Sequence, residues 1–322
     1  MKRSLQAPTI IRAKRTVSDY DRKIMDRILR DNENSFSYLS FSGVMPLTLP
    51  DGTRIVFIPD MHAPAHNQLM LWGIKQFLLD FQPHIIKYIG DISDLFWLSR
   101  WPKPPRTVAH AQFELDETRR LIDWLAEDLV CLVRIIVSTG NHDDRFRRYL
   151  TDPASGIANI VDFQSREPLL SFHGLLGYKP GDPISFIYDI HERGGYGGGM
   201  IVNADMQFRH GYIVRPKPGA SPLADAERIG RSLVQGHTHR AGMRVRQVGE
   251  KTIVAIELGH VVDVNHPYMG YSNLLNNWHP AIGTGTIAGG KVHLQVLPIK
   301  QVGDASKYTL VYDGKVYRSS DR

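Results

Sequence analysis

The sequence predicts an α/β protein with two β-sheets, the first largely parallel and the second mixed or antiparallel. In the first half of the chain, short runs of β-branched and aromatic residues alternate with amphipathic helical stretches. Parallel strands need a long crossover connection, which a helix usually supplies. Beyond Gly242 the strand-like runs occur only in hairpin-like pairs separated by turn residues, a pattern typical of antiparallel strands.

The composition is that of a globular protein. The 322 residues are 42% hydrophobic and 22% charged, with a formal net charge of +6, so the chain has enough apolar residues for a large core. No stretch resembles a transmembrane segment of about 18 apolar residues. We therefore expect a cytoplasmic protein with no membrane partner. The basic surplus alone favours nucleic acid as a partner only weakly.

The predicted elements begin with an amphipathic helix from Ser18 to about Arg30, in which apolar residues recur every three or four positions behind a Ser N-cap. We interpret this helix as part of an arm or lid. Runs rich in Ile, Val and Phe then predict strands, and the stretches between them predict helices. In chain order these are strand 54–60, helix 68–81, strand 84–90, helix 109–129 and strand 133–138.

The second half is expected to supply the second sheet. A helical stretch follows Asn141, and turn residues then separate shorter strands. The predicted elements are strands near 184–188, 200–208 and 232–234, a helix at 222–230, and hairpins at 245–258 and 285–298. We expect three parts, namely an N-terminal basic arm with a short helix at 1–44, one domain at 45–300, and a C-terminal hairpin-like tail at 301–322.

Four short polar motifs stand at the ends of predicted strands, and a lone His210 falls between the last two. Each motif alone is commonly a turn or a helix cap. Together they predict one site, because successive strands deliver their following residues to the same edge of a sheet. The motifs are Asp60-Met61-His62, Gly90-Asp91-Ile92-Ser93-Asp94, Gly140-Asn141-His142-Asp143 and Gly236-His237-Thr238-His239.

The residue types in these motifs suit a dinuclear metal site. Cys131 is the only cysteine, so the chain has no thiolate cluster and a metal ion must bind His, Asp, Glu or amide oxygen. Phosphoester hydrolysis at two metal ions about 3.5–4 Å apart needs such ligands, one of them a bridging carboxylate. The mixed ligand set suits Mn²⁺, Fe²⁺ or Zn²⁺, and we take Mn²⁺ as the first choice.

The five elements in this order resemble the pattern of the calcineurin-like metallophosphoesterases, over roughly Ile55 to His239. The resemblance implies a four-layer α/β/β/α sandwich, with two mixed sheets flanked by helices, and the later hairpins would belong to the second sheet. It also implies two divalent metal ions. The first would be held by Asp60, His62 and His239, the second by Asn141, His210 and His237, and both by Asp91.

The resemblance also implies a mechanism. A hydroxide bridging the two metal ions would attack phosphorus, His142 would assist the leaving oxygen, and Asp94 would orient His142. The protein Ser/Thr phosphatases of the superfamily have Arg and Glu where this chain has Leu95 and Asp143. A protein phosphatase is therefore disfavoured, and the motifs look more like those of bacterial and phage metallophosphatases.

Arginines near the motifs are candidates for substrate binding. Arg145 and Arg148 lie three apart on the predicted helix beside His142, and Arg240 directly follows the last motif. Guanidinium groups there can clamp a phosphate bidentately. The alternative is a solvated basic helix face whose arginines balance the charges of Asp143 and Asp144. The sequence leaves this choice open.

We therefore expect a metal-dependent hydrolase of phosphate esters whose substrate is a nucleotide or a DNA or RNA phosphoester. One alternative is a catalytically silent binding or scaffold module of the same fold, and another is a phosphomonoesterase of a non-nucleotide substrate. The basic residues near the N-terminus can tether the protein to nucleic acid. The sequence predicts neither the oligomeric state nor the choice between a monoesterase and a diesterase or nuclease.

Aromatic residues outside the motifs have two interpretations. Trp97, Trp101 and the segment 102–105 either wall a substrate cleft or close a local core, and the segment 277–279 can reach the same cleft. The remaining histidines lack a partner at ligand spacing, so we expect ordinary loop or surface residues at His110, His173, His191, His260, His266 and His279.

Overall fold

The computed structural model describes residues 16–100, 110–158, 160–164, 168–188, 198–270, 277–303 and 307–319. The helices are α1 Asp19–Asp31, α2 Glu33–Phe36, α3 Gln68–Phe81, α4 Ala111–Ala126, α5 Arg145–Thr151, α6 Phe172–Leu175 and α7 Ala220–Ile229. The strands are β1 Ser40–Ser42, β2 Val44–Leu47, β3 Arg54–Ile58, β4 Ile85–Tyr88, β5 Arg134–Ser138, β6 Ile184–Tyr188, β7 Gly199–Val202, β8 Met206–Arg209, β9 Ser232–Gln235, β10 Ala241–Val248, β11 Lys251–Leu258, β12 Ala281–Ala288, β13 Lys291–Gln301, β14 Tyr308–Tyr312 and β15 Lys315–Arg318.

Two mixed sheets form the centre of the fold. The first has nine strands in the order β1-β6-β5-β4-β3-β12-β13-β14-β15, and the second has six in the order β10-β11-β9-β8-β7-β2. Strands β1, β6, β5, β4 and β3 are parallel, as the alternation of strands and helices predicts. From β12 onward the first sheet is antiparallel.

Three apolar layers hold the sheets and helices together. Between the sheets, Phe57 of β3 stacks on Phe208 of β8 with ring centroids 4.6 Å apart. On the outer face of the first sheet, α3 and α4 pack on β3, β4 and β5. Helix α7 covers the outer face of the second sheet through Ala226. The predicted four-layer sandwich of two mixed sheets flanked by helices is confirmed.

Two sequence expectations about strands are wrong. The second hairpin, β12 and β13, extends the first sheet, because β12 pairs antiparallel with β3. Gly283 and Gly285 of β12 lie against Phe57, where larger side chains would crowd the ring. The stretch 200–208 forms two antiparallel strands instead of one, since Asn203 and Ala204 adopt positive φ between β7 and β8.

The segments at both ends pack closely on the domain. Ser18 caps α1 by accepting from the Asp21 N–H, and Ile24 and Ile28 of this helix are buried between the sheets. The hairpin of β14 and β15 continues the first sheet. The boundaries near residues 45 and 300 stay a prediction. The buried Ile24 and Ile28 show that α1 packs on the domain through one face.

Some sequence expectations lie outside the described residues. These are the basic segment 1–15, Trp101 with the segment 102–105, and His191. Within the ranges given above, no helix is both long enough and apolar enough to cross a membrane.

Candidate metal centre

The motif residues meet at the carboxyl ends of the strands. Ile58, Tyr88 and Val137 lie side by side near the ends of β3, β4 and β5, so the loops that carry the first three motifs leave one edge together. In the second sheet, Arg209 of β8 pairs with Gln235 of β9. His210 and His237 therefore leave neighbouring parallel strands at a similar level.

The backbone at these loops is strained. Asp60, His62, Asp91, His237 and His239 have φ values of 32°, 49°, 47°, 70° and 58°, in the left-handed region that residues with a Cβ seldom adopt. Such conformations cost of order 1–3 kcal/mol each and cluster at functional sites. The strain aims these side chains back across the sheet edge.

The motif glycines make room for the motif side chains. A Cβ at Gly90 would overlap the His210 ring, one at Gly140 would overlap the Asp91 carboxylate, and one at Gly236 would overlap the Asp60 carboxylate. The glycine in each motif is therefore required by close approach of a side chain from a different motif.

The first predicted metal group is assembled. Asp60, His62 and His239 are buried and offer ligand atoms within 4.8 Å of one another. His62 Nε2 and His239 Nε2 are 3.1 Å apart, and His239 Nε2 lies 3.4 Å from Asp60 Oδ1. The Asp60 carboxylate also accepts from the His237 N–H at 3.0 Å, which fixes its orientation.

The second predicted group is also assembled. Asp91, His210 and His237 offer ligand atoms within 4.8 Å of one another, and Asn141 Oδ1 is 3.0 Å from His210 Nε2. His210 Nδ1 lies 3.2 Å from the carbonyl oxygen of Ile89. That contact turns Nε2 toward Asn141 and Asp91.

Asp91 lies between the two groups. Its Oδ1 accepts from the His142 N–H at 2.8 Å. Its Oδ2 is 3.3 Å from His210 Nε2 and 3.7 Å from His62 Nε2. One carboxylate oxygen therefore faces a histidine of each group, which is the position that the predicted bridging role requires.

Burial and mutual charge set the protonation of these groups. Burial raises the pKa of Asp60 to about 6 and lowers that of His237 to about 4. Burial would also lower the pKa of His210, but Asp91 outweighs it and raises that pKa to about 10. The same attraction, against burial, holds the pKa of Asp91 well below its usual range.

The donor set fits divalent metal ions. Two imidazole nitrogens 3.1 Å apart cannot face each other with both lone pairs unless a proton or a cation lies between them. Carboxylate, imidazole and amide oxygen are ligands that Mn²⁺, Fe²⁺ and Zn²⁺ accept. The seven predicted ligands would hold the ions, namely Asp60, His62, Asp91, Asn141, His210, His237 and His239. The number and the identity of the metal ions stay predictions.

Asp94 links the metal centre to His142. Its Oδ2 lies 3.0 Å from His62 Nδ1 and 3.2 Å from His142 Nδ1, and its Oδ1 accepts from Arg145 at 2.9 Å. His142 Nε2 faces Arg145 Nη2 at 3.4 Å. His62, Asp91 and His142 also form a group with ligand spacing, and the role of His142 as a proton donor stays a prediction.

A cleft of about 330 Å³ opens beside His142. Arg145 and Arg148 both line it, although Arg145 Nη1 is already bound to the Asp94 carboxylate and carbonyl. Arg148 donates Nη2 to the Asn141 carbonyl oxygen at 2.6 Å. Arg240 instead donates to the Arg215 carbonyl and is not among the residues that line this cleft. Their substrate-binding roles stay predictions.

Several residues outside the motifs pack near the site or in the core beside it. Trp278 packs edge-on against His239 with ring centroids 4.2 Å apart, and His260 is buried beside them. His173 is buried as well, so the expectation of loop or surface positions is wrong for both histidines. Trp97 packs against the helix-side core. The isolated spacing of these residues gives no sign of their surroundings.

Asp143 and Arg100 are two further polar residues that lie next to the site. The Asp143 carboxylate accepts from the N–H groups of Ser93 and Gly140 at 2.9 and 2.8 Å, so it ties the second motif to the third. Burial raises its pKa to about 7. Arg100 lines the cleft beside His142. The only sign of this in the sequence is a basic residue that follows a tryptophan-containing turn.

Comparison with known proteins gives relatives and similar folds. No model of a known protein family matches the chain. The Gene 54 protein of Mycobacterium phage D29 is 26% identical over 252 residues, 76% of this chain and 93% of that protein. The Gene 54 protein of Mycobacterium phage L5 is 27% identical over 254 residues, with the same two coverages of 76% and 93%.

Comparison with solved structures finds similarity at low identity and low TM-score. Vacuolar protein sorting 29 from Cryptosporidium parvum has a TM-score of 0.38 and 13% identity, covering 84% of this chain and 96% of that one. The Pseudomonas putida nuclease MPE has a TM-score of 0.29 and 13% identity, covering 82% and 86%. These likenesses concern the fold alone.

Proposed function

We propose that the protein is a metal-dependent phosphoesterase of the calcineurin-like type, acting on a nucleotide or nucleic-acid phosphoester. The observation that carries this proposal is the convergence of all seven predicted ligands and of His142 with Asp94 in one cluster, at the carboxyl ends of strands from both sheets. The convergence is supported by strained ligand backbone and by glycines that fit the opposing side chains. A silent scaffold would have no need to keep this costly arrangement.

The residues have separable tasks in this proposal. Bound divalent ions would supply charge neutralisation and a water acidic enough to attack at neutral pH. His142, with Nδ1 facing Asp94, presents Nε2 toward the cleft, where it can pass a proton to a leaving oxygen. Arg145 holds Asp94 and places positive charge beside His142. The carboxylate of Asp94 thus orients both residues.

Hydrolysis of simple esters by the full chain tests the proposal. The purified protein is dialysed against EDTA, reloaded with Mn²⁺, Fe²⁺ or Zn²⁺, and assayed with p-nitrophenyl phosphate and bis-p-nitrophenyl phosphate. We expect metal-dependent release of nitrophenol, and the ratio of the two rates separates a monoesterase from a diesterase. Retention of metal without hydrolysis of either ester would instead favour the scaffold alternative.

A further inference from the structure

The cleft beside His142 carries an aromatic residue that the proposed chemistry does not use. Tyr149 lines this cleft together with Arg100, Arg145 and Arg148. Its side chain is 44% exposed, so much of it is open to a ligand. An exposed ring beside guanidinium groups is the combination with which proteins bind unpaired nucleotides, because the ring stacks on a base while arginines contact phosphates.

Helix α5 fixes this arrangement. Arg145, Arg148 and Tyr149 all belong to it, and its first turn packs beside His142 because the Arg145 N–H bonds to the His142 carbonyl oxygen at 3.0 Å. Arg148 is anchored through Nη2 to Asn141 and lies 3.3 Å from Asp144 through Nε. These contacts use part of its five N–H donors, and its side chain is 43% exposed.

The dimensions of the cleft limit what it can hold. Ligand pockets in proteins begin at roughly 300 Å³, and this cleft measures about 330 Å³. That is the size of one nucleotide unit beside the reacting phosphate. A base inside a duplex has both faces covered by its neighbours, so stacking on Tyr149 requires an unpaired base.

We propose that the cleft is a nucleotide subsite, in which Tyr149 stacks on the base attached to the scissile phosphate and Arg148 and Arg100 bind the adjoining phosphate groups. This inference rests on the proposed function and narrows its substrate class. The ligand is an unpaired nucleotide unit, whether a free nucleotide or the end of a single strand. Leu98 and Pro153 form the apolar walls of the subsite.

Two substrates with the same leaving group test the subsite. Methyl p-nitrophenyl phosphate lacks a base, whereas the p-nitrophenyl ester of thymidine 5′-monophosphate carries one. We expect the metal-loaded protein to prefer the thymidine ester in kcat/KM. Stacking contributes about ten- to hundredfold per base, so Tyr149→Ala should lower this preference by about that factor, mainly through KM, and Tyr149→Phe should retain it.

A matched control is Phe113→Ala, because Phe113 is a 55% exposed aromatic residue of α4 that does not line the cleft. This variant should keep the preference. Equal kcat/KM for the two substrates, or a preference that survives Tyr149→Ala, would overturn the subsite while leaving the proposed function intact. Failure of the unmodified protein to hydrolyse these two diesters and also p-nitrophenyl phosphate contradicts the proposed function itself.

Binding without turnover gives a second measurement. Fluorescence anisotropy of labelled oligothymidylate, labelled thymidine nucleotide and a labelled duplex is measured in EDTA with the full chain. We expect single strand or nucleotide to bind at least about tenfold more tightly than duplex, with the difference lost in Tyr149→Ala. Whichever of the oligothymidylate and the thymidine nucleotide binds more tightly identifies the source of the nucleotide unit. Equal binding of duplex would overturn the inference.

Discussion

The two ends of the parallel strands contrast strongly. At the amino ends of β3, β4 and β5 lie Arg54, His84 and Arg134, and at the carboxyl ends lie Asp60, Asp91 and Asn141. The amino-end groups are bonded to one another and to backbone carbonyls. At the carboxyl ends, imidazole nitrogens and carboxylates lie close together, and several of these residues have a left-handed backbone conformation. One end of the same strands is built for stability, and the other accepts strain for a binding site.

The amino end shows how fully polar groups can be satisfied. Arg134 donates to the carbonyls of Phe36 and Asp182 and to Ser185 Oγ at 2.8 to 3.1 Å. His84 Nδ1 accepts from the Arg54 N–H at 3.0 Å, and His84 Nε2 faces Asp21 of α1 at 3.2 Å. These bonds join α1 to the sheet. Variants at the two ends should therefore separate activity from stability.

The largest effect is expected for Asp91→Asn at the carboxyl end. Asn has the same shape but lacks the charge that two metal ions would share, so kcat/KM should fall by more than about a thousandfold and metal content should drop. Elemental analysis after dialysis and an ester assay check both points, and full metal content with full activity would contradict the bridging role.

A smaller loss is expected for His142→Ala. A positioned acid or base contributes about a hundredfold or more, so kcat should fall by at least about that factor while the protein keeps its metal, since Asp94 still holds His62. The measurement compares kcat and metal content of the same preparation. Loss of the metal together with activity would assign His142 to the ligands instead.

The amino end is tested by Arg134→Met. This change removes the donor from the buried Ser185 Oγ and from two half-buried carbonyl oxygens. A buried unsatisfied group costs about 1–3 kcal/mol, so the free energy of unfolding should fall by about 2 kcal/mol. Ester hydrolysis at low temperature should stay within about twofold. Denaturant titration gives the first value. A stability change that is no larger than that of Asp91→Asn would remove the contrast between the ends.

A pH effect is expected at His84. Burial, with Arg54 nearby, lowers the pKa of this group to about 4, whereas the unfolded chain has about 6.5. The unfolded state therefore binds the extra proton first, and stability present above pH 6.5 is lost as pH falls toward 4. The loss should be ~2 kcal/mol. His84→Asn should flatten this part of the unfolding profile, and an unchanged slope would contradict it.

The sequence predicted the loops at the carboxyl ends of the parallel strands better than the rest of the fold. Asp60, Asp91 and His237 follow the ends of buried strands within two or three residues, so local patterns fix both the strand and the loop after it. Strand β12 was assigned to the wrong sheet, because its pairing with β3 joins residues that lie far apart in the chain, such as Val56 and Thr284. Periodicity carries no information on such a partner.

Side-chain partners were equally hard to predict. The sequence placed Arg145 beside His142, but its choice of Asp94 over solvent or substrate depends on where two loops meet. Trp278 and His260 reach His239 from a later segment with no motif. Contacts between residues that are close in the chain can be predicted from the sequence, whereas contacts between distant segments require the structure.

The pairing of β3 with β12 also governs how the protein is made. During synthesis β3 can find β4 early, but its other edge stays open until residues 281–288 leave the ribosome. An exposed apolar edge in the middle of a sheet is prone to pair with other chains. Nascent chains stalled before residue 281 should therefore aggregate even though every motif has already been translated, which makes the segment from residue 281 onward decisive for yield.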